Sequence, residues 1–367
     1  EPAGGTTGRS VALTRFNISK IGAATLAYES YKIFHNWREL IGGESGFNPV
    51  GFLHLADEER LPQLKEQVAF LNRNFSDEIE IVTREDLKRL QPNMFTDDLA
   101  GATYQPKSGY TVSTEAINSM VRHGREMGMK TEMGLRVLGI KTRAGRVFGV
   151  TTDKGDIDAP VVVLATGGWT APLARTAGVD VPIKPGRLSA GLLKRPSEVP
   201  QHMAMMDGVR GGYWRPDVQN TTMIGISFPI RDYHWPDDPD THDQTIEEEE
   251  MVRVAESISH RFPGMDKAGW VRTWTCADGF TPDGEFILGE TSDVKGLYIA
   301  AGGNGHGFKT APAVGVVMAE MIIEGEPTLL TDMSEFAYGR FPTDDPWKNS
   351  RRFQNQLRRS EAMEYTT

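Results

Sequence analysis

Cysteine is almost missing from this 367-residue chain: Cys276 stands alone, so no internal disulfide framework exists. Long apolar runs are missing too. Nothing approaches the roughly 18–20 residues that a membrane-spanning helix needs, and no signal-peptide pattern opens the chain. Positive charge is in deficit: 40 Lys and Arg against 50 Asp and Glu give a net charge of −10, which disfavours a nucleic-acid partner. Repeats are absent, and a complete G-x-G-x-x-G after a strand is absent as well. The eight histidines show no metal-ligand spacing; His234 and His242 lie in an acidic, proline-rich stretch, so no metal is expected. What remains is 39% apolar and 25% charged, with 39 Gly and 21 Pro. That composition suits a turn-rich α/β enzyme with a soluble, cytoplasmic setting and room for two domains.

Periodicity gives a coarse map. A long helix is predicted over 18–41, with Leu26, Ile33, Trp37 and Leu40 on one face. A short strand at 51–55 leads to helices near 58–74 and 84–90. Ser113 reads as the N-cap of a helix running to about 127. Three strands follow at 135–143, 147–153 and 159–165, separated by turns at Gly145 and Gly155. Further strands are expected at 212–215 and 221–228, and a helix at 244–260 whose acidic run, 247–250, reads as its solvated face. The continuous apolar run 161–165 suits a strand buried on both faces. The same pattern returns at 296–301, followed by a glycine-rich loop at 302–309 and an apolar helix at 311–324. Pro312 fits that helix's first turn, and Gly325 its C-terminal end. Beyond 341 the chain is a polar tail.

Three stretches carry chemistry. A strand running into glycines and then a helix N-terminus offers free N–H groups and the positive end of the helix dipole. At 302–309 such a terminus suits a phosphate or the electron-rich edge of a flavin, and glycine-rich turns also serve packing alone. Val161–Trp169 repeats the logic with Ala165, Thr166 and Gly167 at its turn. The third stretch, 4–10, brings hydroxyls, N–H groups and Arg9 that could meet a pyrophosphate.

In order, these pieces resemble the D-amino-acid-oxidase/sarcosine-oxidase family of FAD enzymes. EPAGGTTGRSVALTR (1–15) is similar to the segment after the second strand of that family's dinucleotide domain. VVVLATGGW (161–169) resembles its central FAD motif. TPDGEFILG (281–289) with LYIAAGGNGHGFKTAPAVGVVMAE (297–320) resembles its C-terminal signature, and the likeness covers about residues 1–335. The resemblance implies a Rossmann-like FAD domain from 1–47, 111–185 and 271–340. An α+β substrate domain on a mixed or antiparallel sheet would come from 48–110 and 186–270. It implies cofactor contacts at Glu1, Thr6, Thr7, Arg9, Ser10, Val137, Ala165, Thr166, Gly167, Trp169, Cys276, Gly302, Gly303, Asn304, Gly305, His306, Gly307, Phe308 and Lys309. Glu1 falls where the family's ribose-binding carboxylate ends the second strand. The expectation is therefore that a preceding unit of about 35–45 residues, holding the G-x-G-x-x-G turn, lies outside this sequence.

For the reaction, the resemblance implies oxidation of an amino acid or N-methylated amino acid. Arg15 and Lys309 would serve near flavin and substrate carboxylate, with Tyr213 and Trp214 as pocket aromatics. Met223 and Ser227 stand where sarcosine oxidases have a lysine and a histidine, a departure from that pattern. Cys276, five residues before Thr281, occupies the place of a cysteine that binds FAD covalently in monomeric sarcosine oxidases; many members have a small residue there and hold FAD non-covalently. The segment 8–15 resembles sarcosine oxidase β-subunits, so partner subunits or a homo-oligomer are expected alongside a small-molecule substrate. A fragment that no longer holds FAD is the alternative outside catalysis.

Overall fold

A computed structural model describes residues 2–75, 78–225, 238–241, 245–341 and 345–348. Glu1, Ser227, His234, His242 and most of the polar tail lie outside the described residues.

A 3₁₀ turn at Thr6–Arg9 leads to strand β1 (Leu13–Thr14), helix α1 (Ile21–His35) and the short helix α2 (Trp37–Leu40). The single helix expected over 18–41 is thus two, broken at Asn36, whose backbone leaves the helical region while its side chain bonds back to the Lys32 carbonyl. Leu40 is exposed rather than on the buried face. Next come β2 (Phe47–Asn48), β3 (Phe52–Ala56), α3 (Leu61–Asn74), β4 (Glu80–Thr83) and α4 (Arg84–Leu90), the last opened by a Thr83–Asp86 capping box. β5 (Gly101–Gln105), β6 (Gly109–Thr111) and α5 (Ser113–Glu126) follow. Ser113 is the first helical residue and not the cap: Val112 holds that position and no side chain caps the end.

Of the strands expected at 135–143, 147–153 and 159–165, the first two are β7 (Val137–Arg143) and β8 (Arg146–Thr152), but the third strand of their antiparallel sheet is β9 (Gly155–Asp158), where only a turn was expected. β10 (Val162–Leu164), a 3₁₀ turn at Gly167–Trp169 and α6 (Thr170–Arg175) come next; Val161 and Val163 are exposed, so this run is not buried on both faces as expected. Then follow β11 (Lys184–Lys194), β12 (Ala204–Asp207), β13 (Tyr213–Asp217), β14 (Thr221–Gly225) and α7 (Glu248–Arg261). The acidic run is only partly solvated. Glu247 and Glu250 close a capping box at the start of α7, and Glu250 takes hydrogen bonds from Arg187. The chain ends with β15 (Gly269–Phe280), β16 (Ile287–Glu290), β17 (Leu297–Ala301) and α8 (Gly307–Ile323).

Two sheets matter for the site. β10 and β17 pair in parallel, with β16 antiparallel beyond, and both parallel strands end in glycine turns on one side of the molecule. The second sheet has eight strands in the order β15-β11-β14-β13-β12-β3-β5-β4, antiparallel except for β12 against β3. β11 and β15 run across the expected domain boundaries at 186 and 271, so this sheet itself reaches into the cofactor region. Strand alternation gives the sheet two faces. Leu53, Leu55 and Trp214 point to a core beneath α4 and α7, whereas Phe52, Ala190, Tyr213 and Trp274 point toward Val11, Leu13 and Tyr110.

Beneath the sheet, Arg261 is fully buried and donates to Asp207 at 2.9 Å, to Asp98 at 2.8 Å and to the Phe95 carbonyl at 2.6 Å. The Asp207 carboxylate also accepts the N–H groups of Val209 and Arg210. A buried charge is tolerated only with such full pairing. Among the described residues no helix is long and apolar enough to cross a membrane.

Candidate active site

Between the two sheets lies a cavity of about 820 Å³, within the usual size range of cofactor and ligand sites. One wall is the 3₁₀ turn with Gly5, Thr6, Thr7, Arg9 and Ser10; a second is the β10 turn with Ala165, Thr166, Gly167 and Trp169. The third is the β17–α8 connection, with Gly302, Gly303, Gly305, Gly307, Phe308 and Lys309. Leu188, Ser189, Ala190 and Tyr213 of the large sheet form the roof, and Phe34, Trp37 and Met120 close another side.

The β17–α8 turn is held by a ladder to the end of β15. Asn304 donates its N–H to the Gly279 carbonyl at 3.1 Å, and its side-chain oxygen accepts the Thr281 N–H at 3.0 Å. The Asn304 amide also bonds to the Gly302 carbonyl. Asn304 sits at φ +50°, a left-handed conformation that Asn tolerates better than most residues. Gly303 has no alternative: a Cβ there would lie 2.9 Å from the Gly307 Cα. The 3₁₀ turn is pinned to β15 as well, through Thr6 Oγ1 to the Ala277 carbonyl (2.6 Å) and Trp274 Nε1 to the Arg9 carbonyl (2.8 Å).

Helix α8 begins at Gly307, four residues before its expected start, which places Phe308 and Lys309 in its first turn. Pro312 is consequently inside the helix and not at its entry. Its neighbour Ala313 donates its N–H to Ser30 Oγ of α1 at 3.0 Å, so the proline's disruption is patched by the adjoining helix.

Most of the sequence-derived cofactor residues meet at this cavity. Cys276 lines it too, with burial pushing its thiol up to about 12. Asn304 stands behind the turn and shapes it; His306 is half-buried at the N-cap of α8, outside the lining. Val137 lies apart, 38% exposed on the meander. Of the four residues expected near substrate, Lys309 and Tyr213 reach the cavity. Trp214, one residue on, is fully buried on the opposite face of the sheet against Phe262. Arg15 lies behind the wall, buried over the Phe52 ring and donating to Asn17 Oδ1 at 2.6 Å.

The electrostatics centre on Lys309. It is 6% exposed, and among the described residues its ammonium has no hydrogen bond or ion pair. Burial, and then the nearby Arg15 charge, hold its pKa well below the ordinary lysine value, while Asp278 pulls it up. Arg15 itself falls to about 10 through burial. Asp278, which the sequence reading overlooked, is half-buried in the cavity wall. Its carboxylate accepts the Gly305 N–H at 2.6 Å and the Gly279 N–H at 2.8 Å, and burial raises its pKa.

An FAD-sized group fits these residues. Gly5, Gly167, Gly305 and Gly307 line the cavity, and a Cβ added at any of them would meet nothing within 4 Å, so the bare backbone leaves room for a flat ring system. The N–H groups at the start of α8, which no side chain caps, suit anionic or electron-rich atoms. Two glycine turns from parallel strands beside a sheet-roofed cavity suit a dinucleotide cofactor.

Comparison with known proteins agrees. The FAD dependent oxidoreductase family (DAO) matches residues 1–321, and the chain belongs to it, with FAD as its cofactor. Sarcosine oxidase subunit beta of Rhodobacter capsulatus is 25% identical over 345 residues, covering 92% of this chain and 80% of its own length. Glycine oxidase of Geobacillus kaustophilus is 25% identical over 305 residues, covering 83% of this chain and 77% of its own. Among solved structures, L-proline dehydrogenase from P. horikoshii superposes with a TM-score of 0.83 over 94% of this chain and 88% of its own, at 24% identity, a likeness of fold.

Proposed function

We propose that this chain oxidises the C–N bond of an amino acid or N-methylated amino acid, removing a hydride from carbon to leave an imine that water then splits. FAD, when bound, supplies the two-electron acceptor. The observation that carries this reading is Lys309: a buried lysine in the wall of the cavity whose amine makes no hydrogen bond or ion pair among the described residues. Its ammonium form is costly there unless an anion arrives, and the carboxylate of an amino acid is that anion. Held there, the substrate is oriented by one fixed end, which is how binding lowers the cost of bringing two groups together. Tyr213 and Leu188 of the roof line the same cavity on the sheet side. Relatives named for sarcosine and glycine oxidation support the substrate class.

The test is turnover of a panel of sarcosine, glycine, proline and D-amino acids by the purified, FAD-loaded protein, followed by flavin bleaching without oxygen. Bleaching by carboxylate-bearing amines but not by their decarboxylated analogues supports the reading; bleaching by both, or by neither, contradicts it. A second reading, a flavin subunit of a larger amine dehydrogenase, is favoured by the β-subunit relative. Co-purifying chains, together with turnover by an artificial dye and none by oxygen, would select it.

A further inference from the structure

Asp278 is the one acidic side chain among the described residues that line the cavity, and it shares that lining with two cations, Arg9 and Lys309. Each of its oxygens already accepts one backbone N–H, from Gly279 on its own strand and from Gly305 in the glycine turn. It therefore ties β15 to the loop that leads into α8, the helix whose first turn carries Lys309. A neutral side chain of similar size could make one such tie, so the tie alone does not explain a carboxylate half-buried in the wall. The charge is accounted for by Lys309, which lines the same cavity and whose protonation Asp278 favours.

We propose that Asp278 is a positioning residue for this enzyme: it fixes the glycine turn and supplies the counter-charge that keeps Lys309 an ammonium able to receive the substrate's carboxylate. The proposal rests on the carboxylate-seat reading of Lys309 and adds what maintains that seat. The charged groups acting on Lys309 are Arg15, which opposes its protonation from behind the wall, and Asp278, which favours it. Beside Asp278 on β15, Cys276 is neutral, its thiol pushed up to about 12, and Arg9 faces that thiol from the 3₁₀ turn. Without Asp278, burial and Arg15 both push Lys309 toward the neutral amine. Removing an opposite charge from near an ammonium lowers its pKa.

The experiment titrates acetate, as a bare carboxylate probe, into FAD-loaded wild type, D278N, D278S and K309M across a pH series, reading the change in the flavin's visible spectrum. Wild type should bind acetate at low pH and lose it as pH rises through the Lys309 pKa. In D278N and D278S that midpoint should fall, with about tenfold weaker binding for each pH unit above it and full binding recovered at lower pH. The same midpoint can be read from acetate's thermal stabilisation of the flavin-free protein, so a variant that loads flavin poorly is still scored. Unchanged midpoints in both Asp278 variants, with acetate binding lost in K309M, overturn this proposal and leave the Lys309 reading standing. Acetate binding that survives in K309M overturns the Lys309 reading itself.

Discussion

Replacing Asn304 with alanine probes how the turn between β17 and α8 is built. In the native turn the Asn304 side-chain oxygen accepts the buried Thr281 N–H, and its amide faces the Gly302 carbonyl. Alanine leaves that N–H without a partner, which costs about 1–3 kcal/mol. The position also lies at φ +50°, where alanine, lacking asparagine's local hydrogen bonds, is disfavoured by about 1–2 kcal/mol. N304A should therefore destabilise the flavin-free protein by about 2–5 kcal/mol in urea unfolding. N304G removes the conformational part and should be milder by about 1–2 kcal/mol. Both should weaken FAD binding, because the same turn lines the cavity. N304A within about 0.5 kcal/mol of wild type would refute the reasoning, being no more than an ordinary surface change. N304G as damaging as N304A would refute the backbone half of it.

Other outcomes follow from the same structure. Arg261→Met should cost about 3–5 kcal/mol in denaturant unfolding, because Asp207 would be left buried and unpaired. K309M should abolish the rise in flavin-free stability with pH. Lys309 titrates lower in the fold than unfolded, so between those two values the unfolded chain binds the extra proton, and stability climbs by about 1.4 kcal/mol per pH unit. For wild type, KM for a carboxylate substrate should be flat below the lowered Lys309 pKa and rise about tenfold per unit above it, while K309M shows no such break. Cys276 should resist thiol reagents in the folded protein, since its thiol stays protonated up to about 12. By the same argument flavin should appear in the supernatant after acid precipitation; flavin retained in the pellet would establish a covalent link and contradict this.

Much of this architecture was legible in the sequence because its signals are local. The apolar runs of β10 and β17 and the glycines that end them identify both turns without any knowledge of packing. The start of α8 was less legible. Gly307, together with Pro312 five residues on, signals a later start, and only the contact with Ser30 on α1 explains how the helix tolerates that proline. Tyr213 and Trp214 could not both reach the cavity, since neighbours on a strand face opposite sides; which one does depends on the pairing of β13 with β12 and β14. Asp278 had no sequence signal at all. A lone aspartate between Ala277 and Gly279 reads as an ordinary strand end, and its meaning comes from Gly305 and Lys309, brought to it by folding. Arg15 shows the opposite case: its position was marked by resemblance, and the fold sets it one layer behind the cavity.

The central claim is that the cavity beside 302–309 holds FAD and that Lys309 draws a carboxylate-bearing amine to it. The most direct measurement is the visible spectrum of the FAD-loaded protein mixed without oxygen with such an amine, in wild type and K309M. The account expects bound flavin in both proteins, with bleaching in wild type and a strongly raised substrate requirement in K309M. A protein that remains colourless and gains no stability from FAD, or a K309M variant bleached as readily as wild type, would contradict it.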